Sequence, residues 1–268
     1  MADEEWAQRG IDVNTPSVAR MYDYYLGGKD NFPADRVAAE EILTAVPEVR
    51  IAARENRAFL DRAVSFLARA GIEQFLDIGT GLPTRGNVHE VAQKITPGAR
   101  VAYVDNDPIV LAHARALLRG MWGETTVVSG DLRHPERILD APEIHKHLDL
   151  TKPVGVLLVA VMHFITEADD PRRIMAALRD AVAPGSYLVL SHGTHDHRQE
   201  AAKAGVRVYE RATSPLVLRS RQEILELFEG FDLMDPGLVW LPEWRPTDLP
   251  LHDEPSRALM VCGVARKP

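Results

Sequence analysis

Phe75-Leu76-Asp77-Ile78-Gly79-Thr80-Gly81 is an apolar run that closes on an acid and a turn carrying two glycines. The apolar part suits a buried strand, and glycine, having no side chain, lets backbone approach a ligand closely. Alone, this is an ordinary glycine turn of an α/β domain. Its weight comes from Val101-Ala102-Tyr103-Val104-Asp105, a second strand ending in an acid, followed by Asn106. A carboxylate there is placed to accept hydrogen bonds from ribose hydroxyls. A third strand ends in Ser129-Gly130-Asp131-Leu132, setting an acid and an apolar side chain beside the space an adenine ring would take. All three strands finish on one edge. Together they predict a nucleoside-bearing cofactor on Asp77, Gly79, Thr80, Gly81, Asp105, Asn106, Asp131 and Leu132.

Working outward, strands are expected at Gln74–Ile78, Arg100–Asp105, Thr125–Ser129, 154–161 and 186–191, alternating with helical patterns. That alternation marks an α/β fold with a mostly parallel sheet and helices on both faces. Two last strands, near 233–239 and 258–265, have only the proline-rich stretch 241–255 between them, so they should pair antiparallel. Asp107-Pro108 and Asp170-Pro171 each put a cap residue before a proline at the first helical position. Ile109, Ala112, Ala116 and Leu117 follow the first at helical spacing; Ile174, Leu178 and Ala181 follow the second, until Pro184-Gly185 stops it. Upstream, helical patterns at Val18–Leu26, 35–45 and Val49–Arg69 come with no strand. Residues 1–70 are therefore expected to form a helical cap and 71–268 the sheet domain. The cap belongs over the carboxyl ends of the strands, where open α/β sheets bind ligands.

With 268 residues, 46% hydrophobic and 26% charged, the chain can bury a sizeable core as one main domain with additions. A net charge of −8 and the lack of a dense basic run give nucleic acid no general attraction, so it is not expected as a partner. The lone Cys262 follows Ala258-Leu259-Met260-Val261 and reads as a buried strand thiol in a reducing compartment. The acidic start Met1-Ala2-Asp3-Glu4-Glu5, and no apolar run of the ~18 residues a span needs, predict a cytoplasmic protein without membrane contact. Oligomeric state is not legible.

A nicotinamide dinucleotide normally asks for a third glycine, so that a helix N-terminus can reach the pyrophosphate; Pro83-Thr84 stands here instead. S-adenosylmethionine carries no phosphate, and its cationic end suits Asp77. The order Asp77-x-Gly79-x-Gly81, then Asp105, then Asp131 resembles the first three motifs of class I methyltransferases over roughly residues 71–191. That resemblance implies a Rossmann-like, seven-stranded sheet of order 3-2-1-4-5-7-6, S-adenosylmethionine as cofactor and S-adenosylhomocysteine as product. Pro83 departs from the third glycine many such enzymes have.

Residues 14–32, Asn14-Thr15-Pro16-Ser17-Val18-Ala19-Arg20-Met21-Tyr22-Asp23-Tyr24-Tyr25-Leu26-Gly27-Gly28-Lys29-Asp30-Asn31-Phe32, crowd three tyrosines, two glycines and several charges together. One reading is a helix capped at Gly27-Gly28 whose tyrosines dock it. The other is a lid that touches cofactor or substrate through Tyr22, Tyr25, Lys29 or Asn31, with Arg57 beside it. Taken with Arg54-Glu55-Asn56-Arg57-Ala58-Phe59-Leu60 and Leu241-Pro242-Glu243-Trp244-Arg245-Pro246, the stretch is similar, nearly end to end, to the actinobacterial S-adenosyl methyltransferase family formerly catalogued as a domain of unknown function. The resemblance implies the cofactor and names no substrate.

His163, in Ala160-Val161-Met162-His163-Phe164-Ile165 after the fourth strand, stands where class I enzymes face the transferring methyl. It is a candidate general base, a residue that orients the cofactor's methionine end, or one that merely satisfies a loop carbonyl. The absence of an Asn/Asp-Pro-Pro-aromatic motif argues against methylation of DNA-base amines. His192, His195 and His197 follow the fifth strand as a pocket lining or a metal site; no metal is expected. Arg198, Lys203, Arg207 and Arg211 suggest a solvated helix face, and Trp240, Trp244 and Arg245 a buried loop or a pocket wall. The reading that results is a methyltransferase acting on a small molecule; its rivals are a non-catalytic cofactor-binding module and a nicotinamide-dependent oxidoreductase.

Overall fold

The computed structural model describes residues 12–83, 86–117, 124–197, 199–247 and 254–268. The reading drawn from Thr84, and the roles given to Arg198 and to the first residues, lie outside these. Three helices come first: α1 (Val18–Leu26), α2 (Pro33–Ala45) and α3 (Val49–Arg69). The alternating part follows as β1 (Gln74–Ile78), α4 (Val88–Ile95), β2 (Arg100–Asp105), α5 (Pro108–Leu117), β3 (Thr125–Ser129), α6 (Pro135–Leu139), α7 (Pro142–His147), β4 (Gly155–Val159), α8 (Pro171–Ala181) and β5 (Tyr187–Gly193). Then come α9 (Gln199–Tyr209), α10 (Arg221–Glu226), β6 (Asp232–Leu233), β7 (Val239–Trp240) and β8 (Met260–Arg266).

The sheet runs β3-β2-β1-β4-β5-β8-β6, with β7 also paired to β8. Strands β1 to β5 are parallel; β8 lies antiparallel between β5 and the two short strands. The order is the Rossmann-like methyltransferase order, with one difference from the expected strand at 233–239. That position is occupied by two dipeptide strands separated by Asp235-Pro236-Gly237, where proline has no N–H for the ladder and Gly237 turns at φ +87°. The helix caps act as their sequences indicate: Asp107 Oδ1 accepts from Ile109 N at 2.8 Å and Asp170 Oδ1 from Arg173 N at 3.1 Å.

Alternation along the strands feeds two cores. Leu76, Ile78, Val156 and Leu158 face α6, α7 and α8, whereas Phe75, Val101, Leu157 and Val189 face α3 and α4. The long α3 serves two regions. Phe59, Ala63, Val64 and Leu67 bury its later turns against the sheet, while Val49, Ala53, Asn56 and Arg57 on its earlier turns border a cavity at the strands' carboxyl edge. Trp244 is fully buried against α3, edge-on to Phe59 at 5.5 Å and Phe66 at 5.8 Å, and Arg62 donates to the Trp244 and Leu241 carbonyls. This tryptophan thus packs the late loop onto α3. Helix α9 joins α1 and α2 in a separate apolar cluster through Val208, Tyr209, Met21, Tyr25, Ala39 and Ile42. Among the described residues no helix is long and apolar enough to cross a membrane.

Candidate functional site

A cavity of about 470 Å³ opens at the carboxyl edge, inside the ~300–1,000 Å³ range of small-ligand sites. Asp77, Gly79, Thr80, Gly81, Asp105, Asn106, Asp131, Leu132 and His163 all line it. The turn after β1 is wedged into place. Gly79 sits at φ +74°, and a Cβ there would fall 2.4 Å from Val161 Cγ2, so only glycine satisfies both demands. Gly79 N and Thr80 N donate to the Val104 carbonyl at 2.8 and 3.3 Å, and Thr80 Oγ1 donates to the Asp77 carbonyl at 3.0 Å. Over Gly81, also at positive φ, no atom comes within 4 Å of where a Cβ would stand, so the backbone faces open space.

The three acids differ in state. Asp77 is buried in the wall, and burial, augmented by the nearby Asp105 charge and opposed by Arg57 and Thr80, has its carboxyl pushed up to about 7. Asp105 accepts from Gly81 N and Asp107 N, both at 2.9 Å; burial still raises its pKa beyond what these bonds offset. Asp131 is held by Arg133 Nε and Nη2 at 2.9 and 2.5 Å; these bonds outweigh burial and keep it below the usual carboxylate range. A desolvated acid for a cation, an acid beside a bare glycine turn for a diol, and an ionised acceptor next to buried Leu132 form a donor and acceptor set that fits a nucleoside bearing an ammonium.

Across from this edge stand Tyr22 and Tyr25, while Arg57 reaches from α3 toward it and opposes the rise of the Asp77 pKa. Tyr22 Oη donates to the Ala53 carbonyl at 3.1 Å and accepts from Asn56 Nδ2 at 2.9 Å; Asn56 Oδ1 accepts from Ser191 Oγ at 2.6 Å, which accepts from Ala160 N at 2.9 Å. This chain ties α1 and α3 to the ends of β4 and β5 and pins Ala160 in a left-handed turn at φ +58°. Arg57 Nη2 donates to the Gly86 carbonyl at 2.9 Å. Lys29 and Asn31 are placed otherwise than expected: Lys29 is exposed, and Asn31 Nδ2 donates to Asp23 at 2.8 Å and to the Gly28 carbonyl at 3.1 Å, neither residue lining the cavity. The Gly27-Gly28 pair is a true helix stop, because Gly27 turns at φ +83° and a Cβ on Gly28 would meet Asp23 Oδ1 at 1.8 Å.

His163 is buried, and its Nδ1 accepts from Gly193 N at 3.3 Å. Burial, then His192 and Arg219, push its pKa well below the usual imidazole range. The neutral ring therefore carries its proton on Nε2, which makes that nitrogen a donor and a poor base. His192 Nδ1 donates to the Gly193 carbonyl at 2.7 Å and its Nε2 accepts from Arg219 at 3.0 Å, with the pKa pushed down to about 3 by burial. His195 instead lies near Asp196 at 3.6 Å and His197 near Glu254 at 3.2 Å, so the three histidines part ways. On α9, Lys203 and Arg207 are exposed, and Arg211 just beyond pairs with Glu41 of α2 at 2.6 Å.

Sequence reasoning passed over six residues at this site or bonded to it. Asn56 and Ser191 look unremarkable in sequence, and Tyr209 sits 184 residues from its partner Tyr25. Arg219 is buried and donates to the Met162 and Ile165 carbonyls at 3.2 and 2.9 Å and to Glu167 at 2.6 Å, fixing the loop that carries His163. Asp12 and Ser17 also reach the cavity; Ser17 Oγ donates to Asp107 at 2.6 Å.

A family profile described as S-adenosyl methyltransferase matches residues 4–268. The chain is 42% identical to a candidate methyltransferase from Thermobifida fusca YX, over 98% of each chain with a TM-score of 0.90. It is also 42% identical to a DUF574 family protein from Streptomyces avermitilis MA-4680, covering 96% of this chain and 99% of that one, TM-score 0.92. Human N-acetylserotonin methyltransferase, solved with S-adenosylmethionine, is similar in fold alone: 13% identity, 98% of this chain and 61% of that one, TM-score 0.51. No curated protein matches the chain.

Proposed function

The chain belongs to the S-adenosyl methyltransferase family and is an S-adenosylmethionine-dependent methyltransferase; from that premise we propose that its acceptor is a small molecule, taken up in the cytoplasm into the cavity that the strand edge shares with the cap. The observation that carries this reading is that Asp77, Gly81 and Asp105 line the same cavity as Tyr22, Tyr25 and Tyr209. A cavity of about 470 Å³ is of the size that small-ligand sites have. The cap assigned to residues 1–70 is, in this reading, formed by α1, α2 and the first turns of α3, with α9 closing it from the other half of the chain.

Asp77 would take the ammonium, Asp105 the ribose hydroxyls, Asp131 and Leu132 the adenine, and Gly79 to Gly81 the close backbone approach. When bound, S-adenosylmethionine supplies a methyl group activated by its sulfonium and leaves as S-adenosylhomocysteine. Little else is asked of side chains than alignment and exclusion of water. His163 would hold the loop and donate from Nε2. A cofactor-binding module without catalysis would have no use for the apolar space beyond the strand edge.

The test is titration with S-adenosylmethionine, S-adenosylhomocysteine and NAD, then incubation of the protein with methyl-labelled cofactor and cell extract. Label should enter the low-molecular-mass fraction; label only in protein or nucleic acid, or preferential NAD binding, would sink the proposal. Two further results are expected. His163→Asn keeps an acceptor for Gly193 N, so turnover should fall less than about tenfold, against the 10²–10⁴ expected for loss of a general base. Cofactor affinity should rise with pH up to about 7 and then level, because binding an ammonium needs ionised Asp77 and below that pH a proton must be displaced, costing up to ~tenfold per unit. Asp77→Asn should flatten this limb in a calorimetric pH series.

A further inference from the structure

The cavity is divided by charge. Asp77, Asp105, Asp107, Asp131 and Arg133 lie at or just past the strand ends and Arg57 reaches toward them from α3, whereas the wall made by the cap helices, α9 and the turn after β4 presents Tyr25, Ile42, Val46, Val49, Tyr209 and Phe164. Asp12 borders the space too, its Oδ1 taken by the Asn14 and Thr15 N–H groups. Arg20 of α1 also borders the space, but it pairs with buried Asp35 at 2.9 Å and donates to the Asp12 and Thr15 carbonyls, so its charge is spent. An ionic acceptor lying against this wall would lose its hydration without gaining a counter-charge, a costly exchange.

Two hydroxyls interrupt the apolar surface. Tyr25 and Tyr209 are buried with their oxygens 3.4 Å apart. One donates to the other, which leaves one hydroxyl hydrogen of the pair to be offered elsewhere. Burial pushes Tyr209 up to about 12 and Tyr25 higher still, so both keep their protons and serve as donors. The Phe164 ring lies 5.5 Å from that of Tyr209 at 47°, giving an aromatic surface next to the donor.

Resting on the methyltransferase reading above, we propose that the acceptor is an uncharged, ring-bearing, largely apolar molecule. Its ring packs on Phe164, Tyr25 and Tyr209, and one of its oxygens accepts a hydrogen bond from the tyrosine pair. Tyr25 and Tyr209 are thereby specificity-determining residues.

Three probes with one ring and three charges test this: 1-naphthol, 1-naphthoate and 1-naphthylmethylammonium, each titrated calorimetrically into the full chain saturated with S-adenosylhomocysteine. Naphthol is expected to bind saturably, one per chain, with both ions at least tenfold weaker. The double variant Tyr25→Phe/Tyr209→Phe removes only the hydroxyls; it should weaken naphthol at least fivefold and leave S-adenosylhomocysteine within twofold. Val49→Glu should turn the preference toward the ammonium probe. No preference among the probes, tighter binding of naphthoate, or naphthol binding indifferent to the double variant overturns the proposal while the cofactor site stands. Failure of S-adenosylhomocysteine itself to bind is a different result, which removes the underlying reading and the proposal with it.

Discussion

Asp105→Ala should weaken S-adenosylmethionine and S-adenosylhomocysteine alike by about 100-fold, the ~3 kcal/mol expected when a charged acceptor of two hydroxyl hydrogen bonds is removed. The equality matters, because the two ligands share the ribose and differ only at the sulfur. Asp105 also organises the free site: its two oxygens separately accept Gly81 N and Asp107 N at 2.9 Å. Asparagine has one acceptor oxygen and would set an amide N–H against one of those donors, so Asp105→Asn should be no gentler than alanine. Both N–H groups border the cavity, where water can replace the lost carboxylate, so the alanine variant's melting temperature should move by only a few degrees. Calorimetric titration and thermal melts of both variants decide the matter; affinities within threefold of the parent would show that the ribose sits elsewhere.

How much of this was readable beforehand depends on whether the information was local. Strands β1, β2 and β3 announce themselves because each is an apolar run ending in an acid or glycine, and the helices Val18–Leu26 and Val49–Arg69 because their apolar residues recur at helical spacing. The break of the sixth strand was written in Asp235-Pro236-Gly237, yet the flanking apolar residues read as one continuous strand. At residues 14–32 local pattern supplied two readings, a docked helix stop and a ligand-touching lid. Tyr22 and Tyr25 face the cavity, while Gly27, Gly28, Asp23 and Asn31 form the helix stop. What no window of sequence carries is contact between distant segments. Tyr209 closes the cavity because α9 packs on α1 and α2, and Asn56 matters because Ser191 reaches it across 135 positions. A glycine-rich turn after a strand is visible; the partner that makes a plain asparagine or arginine indispensable is not.

Arg219 is the sharpest instance, and its replacement should be the most damaging single change to the fold of the site. In sequence it is one more arginine before a capped helix, the kind of residue usually found in solvent. In the structure only 4% of it is exposed, and its guanidinium serves four acceptors: the Met162 and Ile165 carbonyls, His192 Nε2 and the Glu167 carboxylate. Glu167 is mostly exposed and can turn to water, so the ion pair itself adds little. The Ile165 carbonyl and His192 Nε2 are buried and have no such recourse, whereas the Met162 carbonyl keeps the Ile165 N–H at 3.2 Å. Arg219→Leu should therefore cost about 3–5 kcal/mol, the range for leaving buried polar groups unpaired after partial relaxation, which corresponds to roughly 10 °C in melting temperature for a chain of this size. Arg219→Lys should recover only part of this, because one ammonium cannot meet a planar fork of acceptors. The loss should not stay structural: released carbonyls at 162 and 165 free the turn that holds His163 and Phe164 against the cavity. Cofactor affinity, which depends on the edge of β1 to β3, should fall less than turnover, which depends on how the acceptor is aligned. Melting curves, calorimetry with S-adenosylhomocysteine and label transfer on the same preparations would separate these effects. A variant that melts with the parent would mean that Arg219 does not hold this loop.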